Sequence, residues 1–491
     1  MPGSLLLLIP LLLFAASAIH LYLIMRRRSG VPVALVSLFL YVICFYSVLG
    51  SLMADVDGAL LPFFFLAAIY CYDRFIEKTG HERQTWGLIL FAILLAGFLV
   101  KLSFILVIGA IACDLLWRQR KAFSWKGSAA LIGAGCAFVV AYIGLLYLVQ
   151  LVYPAFSIAF MLEHARSFTD GGRDVTQIAV QSVKALYYLS PLLVVPLIWS
   201  WKANLRKHLV FVLYIVFGLL FYIVLFDFSH GAIDKYLMLL AAPLAILCGE
   251  SLVQAFASGP QKSVRRGVTI GIVVALVLLA LNFLPQSVVA LYPKTEWFSR
   301  VLHGHWNVLT PLTGGSGPLG FYVSFLFIAL SYAVSAAAAI IGAVKKEWRH
   351  ACAAIILCIG VVYAGVFAEE FLFGLVNGSS AQVLSSVAAY VASDSRISKV
   401  LSYNDIGAYE FRAMGKYDSR FFATPDFEEG NKAKFSTFTG SYVVIDVPHL
   451  YESGFYAGFF SKCSIAFQTR SGRIAGYVYE CAPTKLPIKL P

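Results

Sequence analysis

Apolar runs, each close to the roughly 20 residues that cross a bilayer as a helix, follow one another along the chain as far as residue 373. They lie near 5–25, 31–51, 58–73, 86–100, 103–117, 127–152, 187–201, 208–227, 236–257, 267–285, 319–343 and 350–373. This repetition constrains the fold more than any other feature. A soluble domain is roughly half apolar and a quarter charged, whereas this 491-residue chain is 60% hydrophobic and 13% charged, with a mean hydropathy of +0.80. One globular core cannot hold that apolar excess, so nuclear, cytosolic and secreted proteins are excluded. Runs of this length predict a polytopic α-helical membrane protein of about twelve transmembrane helices.

The links between runs alternate in charge. One set carries Arg26, Arg27 and Arg28; Arg74, Lys78 and Arg83; Arg118, Arg120, Lys121 and Lys126; Lys202, Arg206 and Lys207; Lys262, Arg265 and Arg266; and Lys345, Lys346 and Arg349. The other set, although longer, holds only Lys101, Arg166, Arg173, Lys184, Lys235, Lys294 and Arg300. Cytoplasmic links are the basic ones, so the first set is expected inside. The net charge of +12 is then a topology signal and no sign of nucleic acid. This orientation puts Met1 outside and the residues after about 376 outside again, in a multi-pass protein of the cell inner (plasma) membrane. The first run carries its arginines after the apolar stretch, unlike a cleaved leader, and is read as a retained helix.

Composition changes after Ser379. Residues 380–491 contain short β-rich runs, Tyr442–Val447 and Gly476–Cys481, and an amphipathic stretch from Val383 to Val391 that reads as a helix. The expected division is therefore a helical membrane domain over 1–375 and a small extracytoplasmic (periplasmic) α/β domain over 376–491. Seven cysteines lie in or beside apolar runs and read as small packing residues. Cys463 and Cys481 flank neighbouring β-like runs on the oxidising side, where a disulfide is plausible but sequence does not supply the Cα separation.

Charged groups kept at the external ends of membrane helices are the default functional candidates. Asp55 and Asp57 sit in the turn ahead of an inward-running helix. A partly desolvated carboxylate there can serve as a general base toward a hydroxyl, and it can equally cap the helix. Lys101 interrupts about 30 apolar residues at the next external turn, either reaching the interface or neutralising a lipid phosphate. The turn Phe228–Tyr236 holds His230, Asp234 and Lys235, candidates for phosphate or sugar binding or for an interfacial belt. The loop from about 153 to 186 offers Glu163, Arg166 and Arg173, where an arginine can fork onto a phosphate or simply be solvated. His303 and His305 lack a third ligand nearby, so no metal is expected on them. Glu369 and Glu370 mark the exit of the last run, and Asn377-Gly-Ser379 is a formal glycosylation sequon.

The order and spacing of these features resemble the GT-C glycosyltransferases that use polyprenyl-phosphate sugars, in particular the bacterial protein mannosyltransferase and aminoarabinose transferase group. The resemblance rests on the Ala54–Asp57 turn leading into a helix rich in Leu, Phe and Tyr, and on the Gly97–Lys101 turn about 45 residues after the aspartate. Lys235-Tyr236 opening a helix with Pro243, and the external α/β domain, are also similar. It implies a transmembrane GT-C-like fold and transfer of a hexose or pentose, with inversion, from an undecaprenyl- or dolichyl-phosphate carrier. The acceptor implied is a lipid, glycan or protein on the extracytoplasmic face, as in lipopolysaccharide or protein glycosylation. No cofactor is required by the sequence, and a divalent metal is unsupported. Asp57 or Asp55 takes the family's second external acidic position near the active site, and Lys101 takes the lysine that helps bind donor phosphate. Lys235, Arg166 and Arg173 are candidate basic partners, and His230, Asp234 and Glu163 candidate sugar or acceptor contacts. Family members begin one span earlier, with a first external loop bearing the principal catalytic aspartate. The chain is accordingly expected to start at the family's second span. A lipid or polysaccharide transporter (a flippase), or a non-catalytic envelope-glycan assembly protein, stands as the alternative.

Overall fold

The computed structural model describes residues 3–53, 55–119, 125–167, 172–229, 233–257, 260–289, 296–313, 320–421, 430–432, 442–449 and 454–481. It is a mostly helical, multi-pass membrane protein. Eight of its helices are long and apolar enough to cross a membrane, and eleven spans result if each of three bent pairs counts as one. These account for eleven of the twelve apolar runs. The remaining run, at 103–117, forms the 15-residue helix Ile105–Gln119, short for a full crossing.

The three bends have local causes. At Cys44 an extended residue (ψ 127°) separates Val31–Ile43 from Phe45–Ser51, and the two axes differ by 65°. Ser190 adopts φ 71° immediately before Pro191; proline's ring disfavours the helical region for the residue ahead of it, and the chain turns by 93° there. His208 breaks Trp201–Lys207 from Leu209–Leu225 at 106°. Hydropathy averages across such breaks, which is why the sequence reads each pair as one run.

The chain divides into two compact units, residues 1–273 with 332–364, and residues 274–331 with 365–491. The second unit thus holds residues 274–331 and 365–375 besides the 376–491 expected as a domain. Ion pairs anchor one end of the first unit. Arg28 Nε reaches Asp73 Oδ2 at 2.7 Å, and Glu250 Oε1 accepts from Lys207 Nζ at 2.8 Å. Asp114 Oδ2 accepts from Tyr72 at 2.7 Å and Arg118 at 2.6 Å. The basic links are therefore partly neutralised where they meet buried carboxylates, as a charge at membrane depth requires.

In the second unit, strands β1 (Leu309–Thr313) and β2 (Gly320–Ser324) form an antiparallel hairpin. A five-stranded sheet follows, made of β3 (Val400–Tyr403), β4 (Tyr417–Phe421), β5 (Tyr442–Asp446), β6 (Ser464–Ser471) and β7 (Ile474–Cys481), in the order β4-β3-β5-β7-β6. β3 runs parallel to both β4 and β5, while β7 is antiparallel to β5 and β6. The helix Ser380–Ser393 covers the sheet with Val383, Leu384, Val387 and Val391, all buried together with Leu309 and Tyr322 of the hairpin. The segment expected as a loop at about 153–186, in the first unit, carries the helix Ile158–Ser167, and the second unit has a further short helix, Glu296–Leu302. Cys463 and Cys481 are joined by a disulfide, with Cα atoms 4.5 Å apart.

Where the last helix ends, Glu370 is buried and accepts from the Asn377 backbone N–H at 3.2 Å and from its Nδ2 at 2.7 Å. Arg473, in the β6–β7 turn, donates to Asn377 Oδ1 and to the Leu284 carbonyl, both at 2.8 Å. The sequon asparagine is thus fully buried and engaged as a structural bracket within this unit.

Candidate active site

Two carboxylates and two lysines form crossed ion pairs in the first unit. Asp57 Oδ1 lies 2.5 Å from Lys101 Nζ, and Asp55 Oδ2 lies 2.6 Å from Lys235 Nζ. Three separate turns supply them.

The Asp turn is a single widened helical turn, Val56–Leu60, entered from Asp55 in an extended conformation. Such π-type turns are rare and occur frequently at functional sites. Gly50 and Gly58 make it possible, because a Cβ on Gly50 would sit 2.3 Å from the Gly58 carbonyl oxygen. Asp55 Oδ1 accepts from the Asp57 N–H at a long 3.5 Å. The cap and the ion pair therefore coexist on Asp55, while Asp57, 7% exposed, turns inward to Lys101.

Lys101 is the extended joint (φ −159°, ψ 135°) between Gly80–Val100 and the turn Leu102–Phe104. Gly97 is required beside it, since any Cβ there would meet the Phe104 ring at 2.5 Å. The third turn, Ile233–Tyr236, places Lys235 on Asp55 and puts the Tyr236 ring 4.5 Å from Lys101 Nζ. Its Asp234 carbonyl accepts a hydrogen bond from the buried Tyr46 hydroxyl.

Lys101 also lines a cavity of about 450 Å³. The remaining lining is almost wholly apolar and aromatic, led by Phe98, Ile105, Phe221, Tyr222 and Phe228, with Tyr236 at the lysine. Phe221 and Tyr222 belong to a second π-type turn, Leu220–Leu225. The volume falls in the range of small-molecule sites, about 300–1,000 Å³. An apolar slot ending at one ammonium suits a molecule with a hydrocarbon tail and an anionic head.

The other sequence candidates are placed variously. Lys235 has its side chain only 12% exposed and Asp234 is buried, so neither forms a solvated belt. Arg173 Nη2 donates to the carbonyls of Val224 and Phe226 at 2.6 and 3.1 Å, gripping the end of the π-type turn that bounds the cavity. Glu163 and Arg166 are exposed on the helix Ile158–Ser167, whose Met161 reaches the cavity wall. His230 lies outside the described residues. Among the described residues, no group of three His, Cys, Asp or Glu is placed to hold a metal ion. Sequence reasoning missed Met161, Tyr222, Phe226 and Tyr46. For the three aromatic residues the available signal was their place near the ends of apolar runs, which is also what any membrane interface shows.

Residues 3–163, which contain Asp55, Asp57 and Lys101, match the family described as dolichyl-phosphate-mannose-protein mannosyltransferase. No curated protein matches the chain. Among solved structures, the chain is similar to ArnT from Cupriavidus metallidurans in its apo state, at 13% identity and a TM-score of 0.52. It is similar also to the same protein bound to undecaprenyl phosphate, at 13% identity and a TM-score of 0.50. Each match covers 96% of this chain and 83% of that one.

Proposed function

We propose that this GT-C-fold membrane protein transfers a sugar from a polyprenyl-phosphate carrier to a hydroxyl acceptor on the extracytoplasmic face. The observation that carries the reading is the pairing of Asp57 with Lys101 at the wall of an aromatic, apolar cavity. The mannosyltransferase-family match over the same turns supports it, as does the undecaprenyl phosphate bound by the ArnT of like fold.

The chemistry follows from the two ends of such a donor. Its isoprenoid tail is hydrocarbon and passes from the bilayer to the Phe221, Tyr222 and Phe228 walls, where dispersion contact replaces its contact with lipid. Its phosphate needs positive charge, which Lys101 supplies at the cavity and Lys235 supplies beside it. The acceptor oxygen attacks the anomeric carbon as the carbon–oxygen bond to phosphate breaks, so the sugar inverts. The electron pair leaves with the lipid phosphate, where the lysines stabilise it. A carboxylate, Asp57 or Asp55, takes the acceptor's proton.

Each lysine is neutralised by a carboxylate when no donor is bound. Donor phosphate must therefore displace Asp57 from Lys101, which releases that carboxylate toward the sugar. The basic links at the opposite ends of the spans support the extracytoplasmic side for this site. Incubating the purified protein with a labelled polyprenyl-phosphate sugar and a hydroxyl acceptor tests the reading. Release of polyprenyl phosphate coupled to acceptor labelling is expected, and label that stays on the lipid under all acceptors contradicts it.

A further inference from the structure

Asp57 borders a second space besides its lysine. A small cavity of about 10 Å³ is lined by Asp57, Ser103, Tyr214, Tyr222 and Tyr236, and the rest of its wall is Leu and Phe. One water needs about 10–15 Å³ of such space and two to four polar partners. A carboxylate and four hydroxyl-bearing side chains meet both needs. Asp57 spends Oδ1 on Lys101, and among the described residues no group donates to its Oδ2. A buried carboxylate oxygen left without a donor is costly, and a water in this cavity supplies one.

The small cavity adjoins the large one. Ser103, Tyr222 and Tyr236 line both, so they stand between the space at Asp57 and the space that Lys101 faces. Tyr222 is 2% exposed and hydrogen-bonds with the Ser103 side chain. Its ring stacks on that of Tyr236 with centroids 5.2 Å apart, and the Tyr236 ring in turn lies 4.5 Å from Lys101 Nζ.

We propose that a water in the small cavity and the Tyr222 hydroxyl, steadied by Ser103, relay the acceptor's proton from Asp57 to the departing lipid phosphate. The relay rests on the transfer reaction proposed above, with Asp57 as its base. The acceptor O–H bond breaks and its proton goes to Asp57. Asp57 passes a proton to the water, the water passes one to Tyr222, and Tyr222 passes its hydroxyl proton to a phosphate oxygen. A hydroxyl donates and accepts at once, so the tyrosine need not ionise. Water and tyrosine end as they began, Asp57 is again a carboxylate, and the phosphate leaves with one negative charge instead of two. By reference values the phosphate is the stronger base, about 6 against about 3.9 for an aspartate.

Rapid-quench transfer assays of full-length wild type and Tyr222→Phe, with a labelled polyprenyl-phosphate sugar and a hydroxyl acceptor, test the relay beside an experimental structure that resolves waters. A water between Asp57 and Tyr222 is expected. Steady-state turnover by Tyr222→Phe is expected to fall on the order of 10²-fold behind a burst of a single turnover, because the first acceptor still meets an ionised Asp57. The burst should depend on donor concentration as in the wild type, since the ring and the cavity wall remain. A merely structural role for Tyr222 would shift that dependence or slow the burst itself. Either result overturns the relay, as does wild-type turnover by Tyr222→Phe or a small cavity without water. Wild-type protein that transfers nothing overturns the transfer reading and the relay with it, whereas an indifferent Tyr222→Phe beside an active wild type overturns the relay alone.

Discussion

Lys101 and Asp57 are 44 residues apart in sequence and 2.5 Å apart in space, with Asp57 Oδ1 on Lys101 Nζ. Two glycine-enabled turns bring them together, one at Gly50 and Gly58 and one at Gly97. Breaking a buried pair by removing one partner costs more than removing both, because a charge is left uncompensated. Lys101→Met alone is therefore expected to lower the thermal midpoint of the detergent-solubilised protein. Asp57→Leu combined with Lys101→Met is expected to restore much of it. A full loss of about 3–5 kcal/mol for a buried pair is an upper bound here, since Lys101 is 28% exposed. A double mutant no more stable than Lys101→Met speaks against the pair as a stability element.

The cavity makes a separate prediction. Phe228 and Met161 lie on its wall, so Met161→Trp narrows it without touching a charged group. The apparent KM for a long-chain lipid-phosphate donor is expected to rise on the order of tenfold, about 1.4 kcal/mol, with kcat little changed. A change in kcat at constant KM locates the tail elsewhere.

The Cys463–Cys481 disulfide closes a loop with a sequence separation of 18, at the ends of β6 and β7. Loop closure of this length is worth roughly 3 kcal/mol in the chain-entropy description. Intact mass of the unreduced protein is expected two hydrogens lighter than after reduction, and Cys481→Ser is expected to speed hydrogen exchange in β5, β6 and β7. Nine thiols titrating in the unreduced, unfolded protein, in place of the seven outside the disulfide, contradict the pairing.

Asp405 makes the five-stranded sheet sensitive to acid. Burial pushes its carboxyl up, but hydrogen bonds from Tyr417 and Arg420 outweigh burial and hold it below the usual aspartate range. A carboxyl depressed in the folded state stabilises fully above its unfolded value of about 3.9, and the contribution is lost as pH falls through the lower folded value. Exchange protection of β3 and β4, corrected for intrinsic rates, is expected to drop over that interval in the wild type. Asp405→Asn should flatten the drop, and an unchanged profile contradicts the assignment.

Much of this molecule was legible in its sequence, for identifiable reasons. Apolar length and alternating basic links report the bilayer directly, so the helical spans and the β-rich tail could be read residue by residue. Asp55, Asp57, Lys101 and Lys235 stood out because isolated charges among apolar residues are costly. What stayed hidden was how they pair: sequence could not show that Lys235 turns to Asp55 and Lys101 to Asp57. Nor could it show the bends at Cys44, Ser190 and His208, since one non-helical residue inside an apolar run leaves hydropathy unchanged. The cavity walls were equally hidden, because Tyr222 and Phe228 look like any interfacial aromatic until the turn that carries them is seen.

The most direct measurement is transfer from a labelled polyprenyl-phosphate sugar by purified wild-type protein, run beside Asp57→Asn and Lys101→Ala. Wild-type turnover is expected, with kcat reduced about 10²–10⁴-fold by Asp57→Asn, the range for a lost general base, and donor KM raised by Lys101→Ala. Wild-type transfer that persists undiminished in both variants would contradict the assignment of this ion pair as the reacting centre.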